Sequence, residues 1–566
     1  MRSVVEVYQS FIWRGTDTGL AALLYDTPPV TLGEIPPRAV RLRDRYQKTG
    51  WLTEERISKV ADILTAANRR LGALTPSVKR RIEMLSEGAV EAAHQAVCMG
   101  GPVYVLNKAA TAARVAAISE RSGVSLAPFF FVADYDEVQP ELTNMRTPLL
   151  GAEGNLVSFP VPEGYEYSPV SVLPAPSDEW YVRVEESVRA GYRPLFKVLD
   201  DRAKTMFEER LEQALSVVRW AFYNSQTLGE WSQKILARLL NIECDLGVPL
   251  LPASDPQVRE TMVGGMEYLL ASDNRDRFLR AHDQATQAIL QAGLDTGMGK
   301  RPDDYVPFFY ECPGRECHRA RMELHYESSD GAALLRGRCP VCQQHVEIEA
   351  DAQDPDLSQF AKELAPRVDT RQMVVDMLIP TVCHVGGPGE AAYYAQVIPV
   401  ARELGITFPM FVKYPRVYFN TPWGESMAAR LKEAKVSVIQ SQAVFGLLGS
   451  IARARKKGRP DDMNSRVSEL ERLISQAHSE ANSTLKQLLE QADMTNEENH
   501  RLKFDLECYL SWAFGQYTLG KLGQESTWSW IEWAVNAGFR DLMGPYERAY
   551  DSALKNGSTL FVNFMA

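Results

Sequence analysis

Four cysteines in two short pairs carry the clearest chemical signal in this 566-residue chain. Cys312-Pro-Gly-Arg-Glu-Cys317 and Cys339-Pro-Val-Cys342 stand 21 residues apart. Tetrahedral zinc needs four thiolates converging from two tight turns, and each short loop sets two sulfurs on one face of the metal. The proline after the first cysteine of each pair suits such a knuckle. A closed four-thiolate site leaves no position for water, so the zinc expected here is structural. The alternatives are four free or redox-active thiols, and a site in which His318 replaces one cysteine.

The remaining candidates point to anion and amine chemistry. His94 and Gln95 precede Gly100-Gly101-Pro102 and a helical run carrying Lys108. A histidine and a lysine near a helix start suit a triphosphate, because both can donate to phosphoryl oxygens as charge moves to the leaving group. A second glycine turn, His384 to Glu390, lies between an apolar run and a helix-like run from Ala391 to Leu404. Its Gly386, Gly387 and Gly389 would let backbone N–H groups approach a ligand at a helix N-terminus, with Glu390 and Tyr393 beside them. Asp134 and Asp136 end the apolar strand Pro128 to Ala133. Alternate residues on an extended strand point the same way, so both carboxylates are expected to face a cleft, where they could hold Mg²⁺, bind an amine or act as general base. Arg371 is a candidate clamp for carboxylate or phosphate. The bland readings are a satisfied core histidine, a glycine turn, a solvated Asp-Tyr-Asp loop and a surface arginine. Cys98 and Cys383 each lie inside one of these loops. They are either site thiols or small buried fillers.

The elements that would position these groups are legible in outline. Residues 1–50 are Pro-rich and read as irregular. Trp51 to Glu87 and Val103 to Arg121 read as helical, Ala127 to Ala133 as a buried strand, Arg146 to Ala175 as hairpin-like, Glu179 to Leu240 as helices, and Val248 to Pro252 as a strand. Short apolar strands alternating with amphipathic helices predict an α/β protein with a parallel, Rossmann-type sheet. Tyr305 to Glu349 carries the cysteine pairs on hairpin-like segments. From Ser465, Val467, Leu470, Ile474, Ala477, Ala481, Thr484 and Leu488 follow 3-4 spacing, and Asn499 to Thr518 continues as a second helix capped by Thr495. This is a helical hairpin with coiled-coil character, or a plain helix pair packed within the chain. The basic run Arg453 to Arg459 reads as a solvated connector.

Composition narrows the class. Hydrophobic residues make up 45% and charged residues 24%, ordinary for a globular protein. The net charge of −11 argues against a nucleic-acid or anionic-membrane binder. Met1 to Trp13 does not read as a secretory signal, and no apolar run is long enough to span a membrane. With four clustered and four scattered cysteines, the chain reads as cytoplasmic, with reduced thiols.

Five motifs in order resemble the bacillithiol-synthesis cysteine-adding enzyme family, BshC. Ala93-His94-Gln95 with Gly101-Pro102 and Lys108 resembles its Gly-His-Gln…Gly-Pro-Leu-Tyr…Lys signature. Ala133-Asp134-Tyr135-Asp136 resembles its Glu-Asp-His-Asp, and Ser254-Asp255-Pro256 its Asp-Pro element. Arg371 resembles the start of its Arg-Pro-Leu element, and Gly386-Gly387-Pro388-Gly389-Glu390 to Tyr393 its Gly-Pro-Gly-Glu-Ile-Ala-Tyr-Trp. The likeness covers roughly residues 50 to 425. Three departures stand out: Ala92-Ala93 replaces Thr-Gly, one acid and one histidine are missing at Ala133 and Tyr135, and the cysteine-rich insert is outside the usual pattern.

The resemblance implies a nucleotidyltransferase or class I synthetase-like Rossmann core in two parts, 1–305 and 351–425. A zinc ribbon at 306–350 would interrupt it, and a coiled-coil hairpin at 426–520 and a terminal segment at 521–566 would follow. It implies a carbon–nitrogen ligase that adds cysteine to the amino group of a small polar acceptor, an amino-sugar-like molecule, in a homodimer joined by the coiled coil. Activation by ATP, with Mg²⁺, is the expected route to the amide. His94, Asp134, Asp136 and Arg371 are then the expected catalytic residues. Gln95, Gly101, Lys108, Gly386, Gly387, Gly389, Glu390 and Tyr393 would hold the nucleotide. Two alternatives are a diverged ligase for another amino acid or acceptor, and a non-catalytic, synthetase-like binding protein.

Overall fold

The structure, a computed structural model, describes residues 2–148, 155–329, 331–516 and 524–565. Its centre is built from runs of small, β-branched and aromatic residues. In chain order these elements are strand β1 (Ala89–Gln95), helix α1 (Tyr104–Arg121), strands β2 (Ala127–Ala133) and β3 (Leu250–Pro252), and helix α2 (Pro256–Leu270). Strands β4 (Tyr305–Glu311), β5 (Arg321–Ser329), β6 (Ala332–Arg338), β7 (His345–Asp351) and β8 (Leu364–Pro366) follow. Next come helix α3 (Arg371–Asp376), strand β9 (Thr381–Gly386), helix α4 (Pro388–Glu403), strand β10 (Met410–Lys413), and helices α5 (Ser441–Lys456), α6 (Pro460–Gln491) and α7 (Glu497–Gln516).

Five strands form one parallel sheet in the order β10-β9-β1-β2-β3. Both faces are covered, as a parallel sheet requires. Val90, Ala92, Phe130 and Val132 face one apolar cluster, while Ala89, Ala93, Phe129 and Phe131 face the other. The chain starts in the middle at β1, runs outward through β2 and β3, then returns to the other side of β1 through β9 and β10. That is a doubly wound, Rossmann-like sheet whose strand order reverses between β1 and β9. The helices between β2 and β3, from Asp178 to Arg238, pack into the first cluster.

The cysteine segment forms a second sheet, antiparallel, in the order β7-β6-β5-β4-β8. Pairing continues past residue 350 to β8. The sheet is not a free-standing ribbon with a poor core of its own: Val306, Phe308, Leu324, Leu335 and Ile348 are buried in the same cluster as Met262 and Met266 of α2. A buried ion pair, Arg259 Nη2 to Glu311 Oε1 at 2.6 Å, ties α2 to β4.

Several expectations are corrected. Residues 1–50 are helical rather than irregular, with helices Val5–Arg14, Thr18–Tyr25 and Ile35–Lys48. Pro36 and Pro37 sit in the first turn of the last of these, where proline's missing N–H costs nothing. The hairpin near Arg146 is a three-residue pairing of Asn144–Arg146 with Leu156–Ser158, and residues 149–154 lie outside the described residues. Of the basic run, Arg453 to Lys456 form the last turn of α5 and only Lys457 to Arg459 connect to α6, while Lys456 lies over the Trp13 ring. The predicted helical hairpin is α6 and α7. The apolar stripe of α6 (Leu470, Ile474, Ala477, Ala481) is buried within the chain, where Leu470 and Ile474 cluster with Val444 and Leu448 of α5. Asn496, not Thr495, caps α7, since its Oδ1 accepts from Glu498 N at 2.8 Å. Thr495 instead bonds back to Asp493. Among the described residues no helix is long and apolar enough to cross a membrane.

Candidate active site

A cleft of about 1170 Å³ opens at the carboxyl ends of the parallel strands, at the reversal between β1 and β9. Ligands bind there in open α/β sheets. Helix α4 begins at this edge and its N-terminus, favourable to an anion, lines the cleft, whereas the start of α1 is covered by the C-terminal segment, Val103 N donating to Trp528 O at 2.9 Å. The cleft is lined by His94 and Gln95 from β1, Tyr104 and Lys108 from α1, and Gly387, Gly389, Glu390 and Tyr393 from the start of α4.

Lys108 spans the two helices. Its ammonium donates to the Ala93 carbonyl at 2.9 Å and to Glu390 Oε1. Glu390 also closes the start of α4, accepting from Gly387 N at 2.9 Å. Burial alone would raise the Glu390 pKa, but Lys108 outweighs it and holds the carboxylate at about 2. The glycines act differently from the expectation of a turn that opens the backbone to a ligand. Strand β9 runs into α4 with Gly387 as N-cap at φ −104°, and neither Gly386 nor Gly389 has a positive φ. Gly386 and Gly387 are small because neighbours are close: an added Cβ would meet Phe411 at 2.5 Å and Tyr414 at 3.0 Å, respectively. Gly389 has open space before it.

His94 lies against Gln95 O through Nδ1, 3.1 Å, and against the Tyr104 hydroxyl through Nε2, 2.6 Å. A carbonyl only accepts, so Nδ1 carries the proton. Burial, with Lys108 nearby, pushes the His94 pKa down to about 3, so the ring is neutral and Nε2 accepts from Tyr104. In this arrangement His94 offers no N–H to the cleft, unlike the donor expected from sequence. Tyr104 in turn stacks on both His94 and Tyr414.

The two aspartates separate. The chain turns after Ala133, so the alternation that would aim both at the cleft is broken. Asp136 lines the cleft, accepting from Gln95 Nε2 at 2.6 Å and lying 3.4 Å from Arg321 Nη1. Asp134 is fully buried and does not line it. It accepts from Gln233 Nε2 at 2.6 Å, Ser254 N at 2.8 Å and the Ser254 hydroxyl, tying the end of β2 to β3. Burial raises its pKa to about 6 against those hydrogen bonds. Ser254-Asp255-Pro256 is a helix start, with Asp255 Oδ1 capping α2 at Gln257 N, 2.9 Å.

Gly101 is also outside the cleft. Met99, Gly100 and Gly101 have φ of 57°, 81° and 87°, and this left-handed turn is packed under the C-terminal segment. Trp530 Nε1 donates to Met99 O at 2.6 Å, and Trp530 N to Gly101 O at 3.3 Å. Cys98 and Cys383 are buried in the core with thiol pKa values raised by burial, and neither lines the cleft.

Arg371 does reach the cleft, from a polar network that sequence reasoning missed. Glu91 stands in the middle of β1 with no exposure. It accepts from Gln372 Nε2 at 2.6 Å and lies 3.3 Å from His384 Nδ1 and 3.8 Å from Arg371 Nη1. Burial raises its pKa, yet His384 and Arg371 outweigh this and hold it below the ordinary value. The Tyr394 hydroxyl accepts from Arg371 Nη2 at 3.2 Å and donates to Gln372 Oε1 at 3.0 Å. An acid inside the apolar run Ala89-Val90-Glu91-Ala92-Ala93 was the available signal. Arg301, Arg321, Arg367 and Arg416 also line the cleft, and isolated arginines give no signal in a sequence.

The four cysteines converge outside the cleft. Their sulfurs all lie within 4.8 Å of one another, with Cys312 and Cys342 at 4.0 Å. Zinc bound tetrahedrally at about 2.3 Å sets sulfurs about 3.8 Å apart, so the donor set fits zinc. His318 is not part of the cluster; its ring stacks on Tyr165 at 4.0 Å.

Comparison with known proteins agrees with this geometry. Residues 183–417 match the sequence model of the family described as "Bacillithiol biosynthesis BshC, N-terminal Rossmann-like domain". A protein of Geobacillus thermodenitrificans named "Putative cysteine ligase BshC" is 26% identical over 361 residues, 62% of this chain and 60% of that protein. One of the same name from Geobacillus kaustophilus is 26% identical over 415 residues, 71% of this chain and 67% of its own. A third, from Lysinibacillus sphaericus, is 21% identical over 460 residues, 79% of this chain and 77% of its own. The match thus spans about 60% of the length of the first of these relatives. Five motifs in family order, a Rossmann-like sheet that gathers most of them at its switch point, and relatives that share one name agree: over residues 183–417 the chain is similar to the BshC family of bacillithiol biosynthesis.

Proposed function

We propose that this chain is a carbon–nitrogen ligase that joins cysteine to the amino group of a small polar acceptor, with ATP as the activating substrate. The observation that carries the reading is the cleft at the β1/β9 switch point. The N-terminus of α4 and Lys108 meet there, a setting suited to phosphate, and the Asp136 carboxylate lines the same cleft. A carboxylate and an amine do not condense favourably in water, so the cysteine carboxylate would first be phosphorylated or adenylated. The amine nitrogen would then form the amide bond, lose its proton and expel phosphate or AMP. Lys108, the N-terminus of α4 and Arg371 would hold the phosphoryl groups, with Gln95 and Tyr393 at the walls. Asp136 would bind the ammonium form of the acceptor and receive its proton. His94 is a neutral, weakly basic ring that orients Tyr104. Mg²⁺ would accompany the nucleotide. Zinc at Cys312, Cys317, Cys339 and Cys342 would be structural. The α6–α7 pair would serve as the arm of a homodimer, and the enzyme would work in the cytoplasm.

A second reading, a ligase for a different amino acid or acceptor, is favoured by one observation. Ala133 and Tyr135, the positions that depart from the family motif, both line the cleft. Calorimetric titration with ATP and with cysteine, followed by mass spectrometry of the products, tests both readings. Nucleotide binding with a cysteine-containing amide supports the first. Nucleotide binding with amide formation from another amino acid supports the second. No nucleotide binding would refute both and favour the non-catalytic alternative.

A further inference from the structure

The second sheet and its flanking segments line part of the cleft, and three arginines stand there. Arg321 lies over the Phe309 ring at 4.2 Å. Arg367 lies over the same ring at 4.4 Å and over Tyr305 at 5.0 Å. Arg301 lies over Tyr305 at 5.5 Å. Phe309 and Tyr305 belong to β4, Arg321 opens β5, Arg367 follows β8, and Arg301 precedes β4. Three guanidinium groups thus share one aromatic shelf, and all three line the cleft.

The shelf is a desolvated, partly neutralised cation cluster. The side chains of Arg301, Arg321 and Arg367 are only 19%, 12% and 12% exposed. Arg301 Nε pairs with the buried Asp369 at 2.6 Å, and Arg321 with two carboxylates, Asp136 through Nη1 at 3.4 Å and Glu137 through Nε at 3.7 Å. Arg367 has the weakest partner, Glu323, which is 61% exposed, and its own Nε is buried without a hydrogen-bond partner. Each guanidinium carries five N–H donors in a planar fork, and the one or two carboxylate oxygens beside each engage only part of them. Stacking on aromatic faces fixes the planes and leaves the N–H edges for a ligand. Such planar forks match carboxylates, whereas the α4 N-terminus and Lys108 match phosphate.

We infer that Arg301, Arg321 and Arg367 form an oxyanion subsite, separate from the nucleotide end, that grips the carboxylate of a substrate whose amine lies at Asp136. Asp136 is shared, because it touches both Gln95 and Arg321. The cysteine cluster is what braces this shelf. Cys312 N donates to Ala320 O at 2.9 Å and Ala320 N to Cys317 O at 2.7 Å, so the first knuckle runs directly into Arg321. Loss of the metal would therefore loosen the subsite. This inference rests on the ligase reading of the cleft, but its test reads a different quantity.

The test is calorimetric titration of the full chain with succinate, as a simple dicarboxylate, and with inorganic phosphate, in wild type, Arg321→Gln and Arg367→Lys. Arg367→Lys keeps the charge and the stem, so it preserves folding while removing the fork. Thermal unfolding and ATP titration are run in parallel on each variant. The expected result is succinate binding weakened about tenfold or more in each variant, the loss of one or two charge-assisted hydrogen bonds, with ATP binding unchanged. Removal of the metal should weaken succinate binding in the same direction. The subsite would be overturned by undetectable succinate binding to wild type, by succinate binding indifferent to both substitutions, or by phosphate as the ion whose binding they abolish. Failure of ATP to bind at all would instead count against the ligase reading.

Discussion

The Lys108–Glu390 pair is the joint between the two halves of the sheet edge, and its removal should be costly. Lysine and carboxylate side chains are 5% and 17% exposed, so solvent screens them little. Lowering Glu390 from its ordinary 4.5 to about 2 corresponds to about 3 kcal/mol in favour of the ionised form in the folded state. Because the folded pKa is depressed, that stabilisation is fully present above pH about 4.5 and is lost as the pH falls through about 2. Lys108→Met leaves a buried carboxylate unpaired and should cost on the order of 3–5 kcal/mol. Lys108→Met combined with Glu390→Gln removes both charges while keeping an acceptor for Gly387 N, and should recover most of the loss. Urea unfolding followed by tryptophan fluorescence on wild type, the two single variants and the double variant gives the coupling energy. The loss of stability below pH 4.5 should also be shallower in the double variant than in wild type. A coupling energy below about 1 kcal/mol, the level of an exposed pair, would refute the reasoning.

Three further outcomes follow from the same geometry. Gly386→Ala should destabilise by about 1–3 kcal/mol, because its Cβ would stand 2.5 Å from Phe411, whereas Gly389→Ala should be neutral or slightly stabilising; thermal unfolding of both variants decides. His94 should stay neutral down to about pH 3, so protonation favours the unfolded chain and stability contributed by this ring falls as the pH drops below its unfolded value of about 6.5. An NMR titration of His94 with a midpoint near 6.5 would contradict this. Metal analysis should find about one zinc per chain, and Cys339→Ser should abolish it. Since the second sheet shares its core with α2, thermal unfolding should then show a weakened half of the molecule rather than a frayed appendage.

What was legible in the sequence depended on the range of the interaction. Strand β2 and helix α1 were readable within a residue or so, because apolar runs and good helix formers decide them locally. The cysteine pairs were readable because tetrahedral coordination imposes spacing on the chain itself. The helices of residues 1–50 were hidden by prolines that sit at a helix start. Asp134 misled, since period-2 reasoning holds only while the strand stays extended and the chain turns after Ala133. Gly101 misled for a different reason: the same positive-φ turn that can cradle a phosphate is here filled by Trp530, more than 400 residues away. The Glu91 network joins residues 281 apart, and the arginine shelf meets Asp136 across 185 residues of chain, so nothing local in a sequence encodes either meeting.

On the proposed reading, this cleft makes an amide from cysteine with ATP. Incubating the full chain with ATP, Mg²⁺, cysteine and amino-sugar acceptors, and reading the products by mass spectrometry, tests it most directly. The account predicts an acceptor heavier by cysteine minus water, with stoichiometric cleavage of ATP, and loss of both in Asp136→Asn and Lys108→Met. ATP left intact with every acceptor, or an amide formed equally well by both variants, would contradict it.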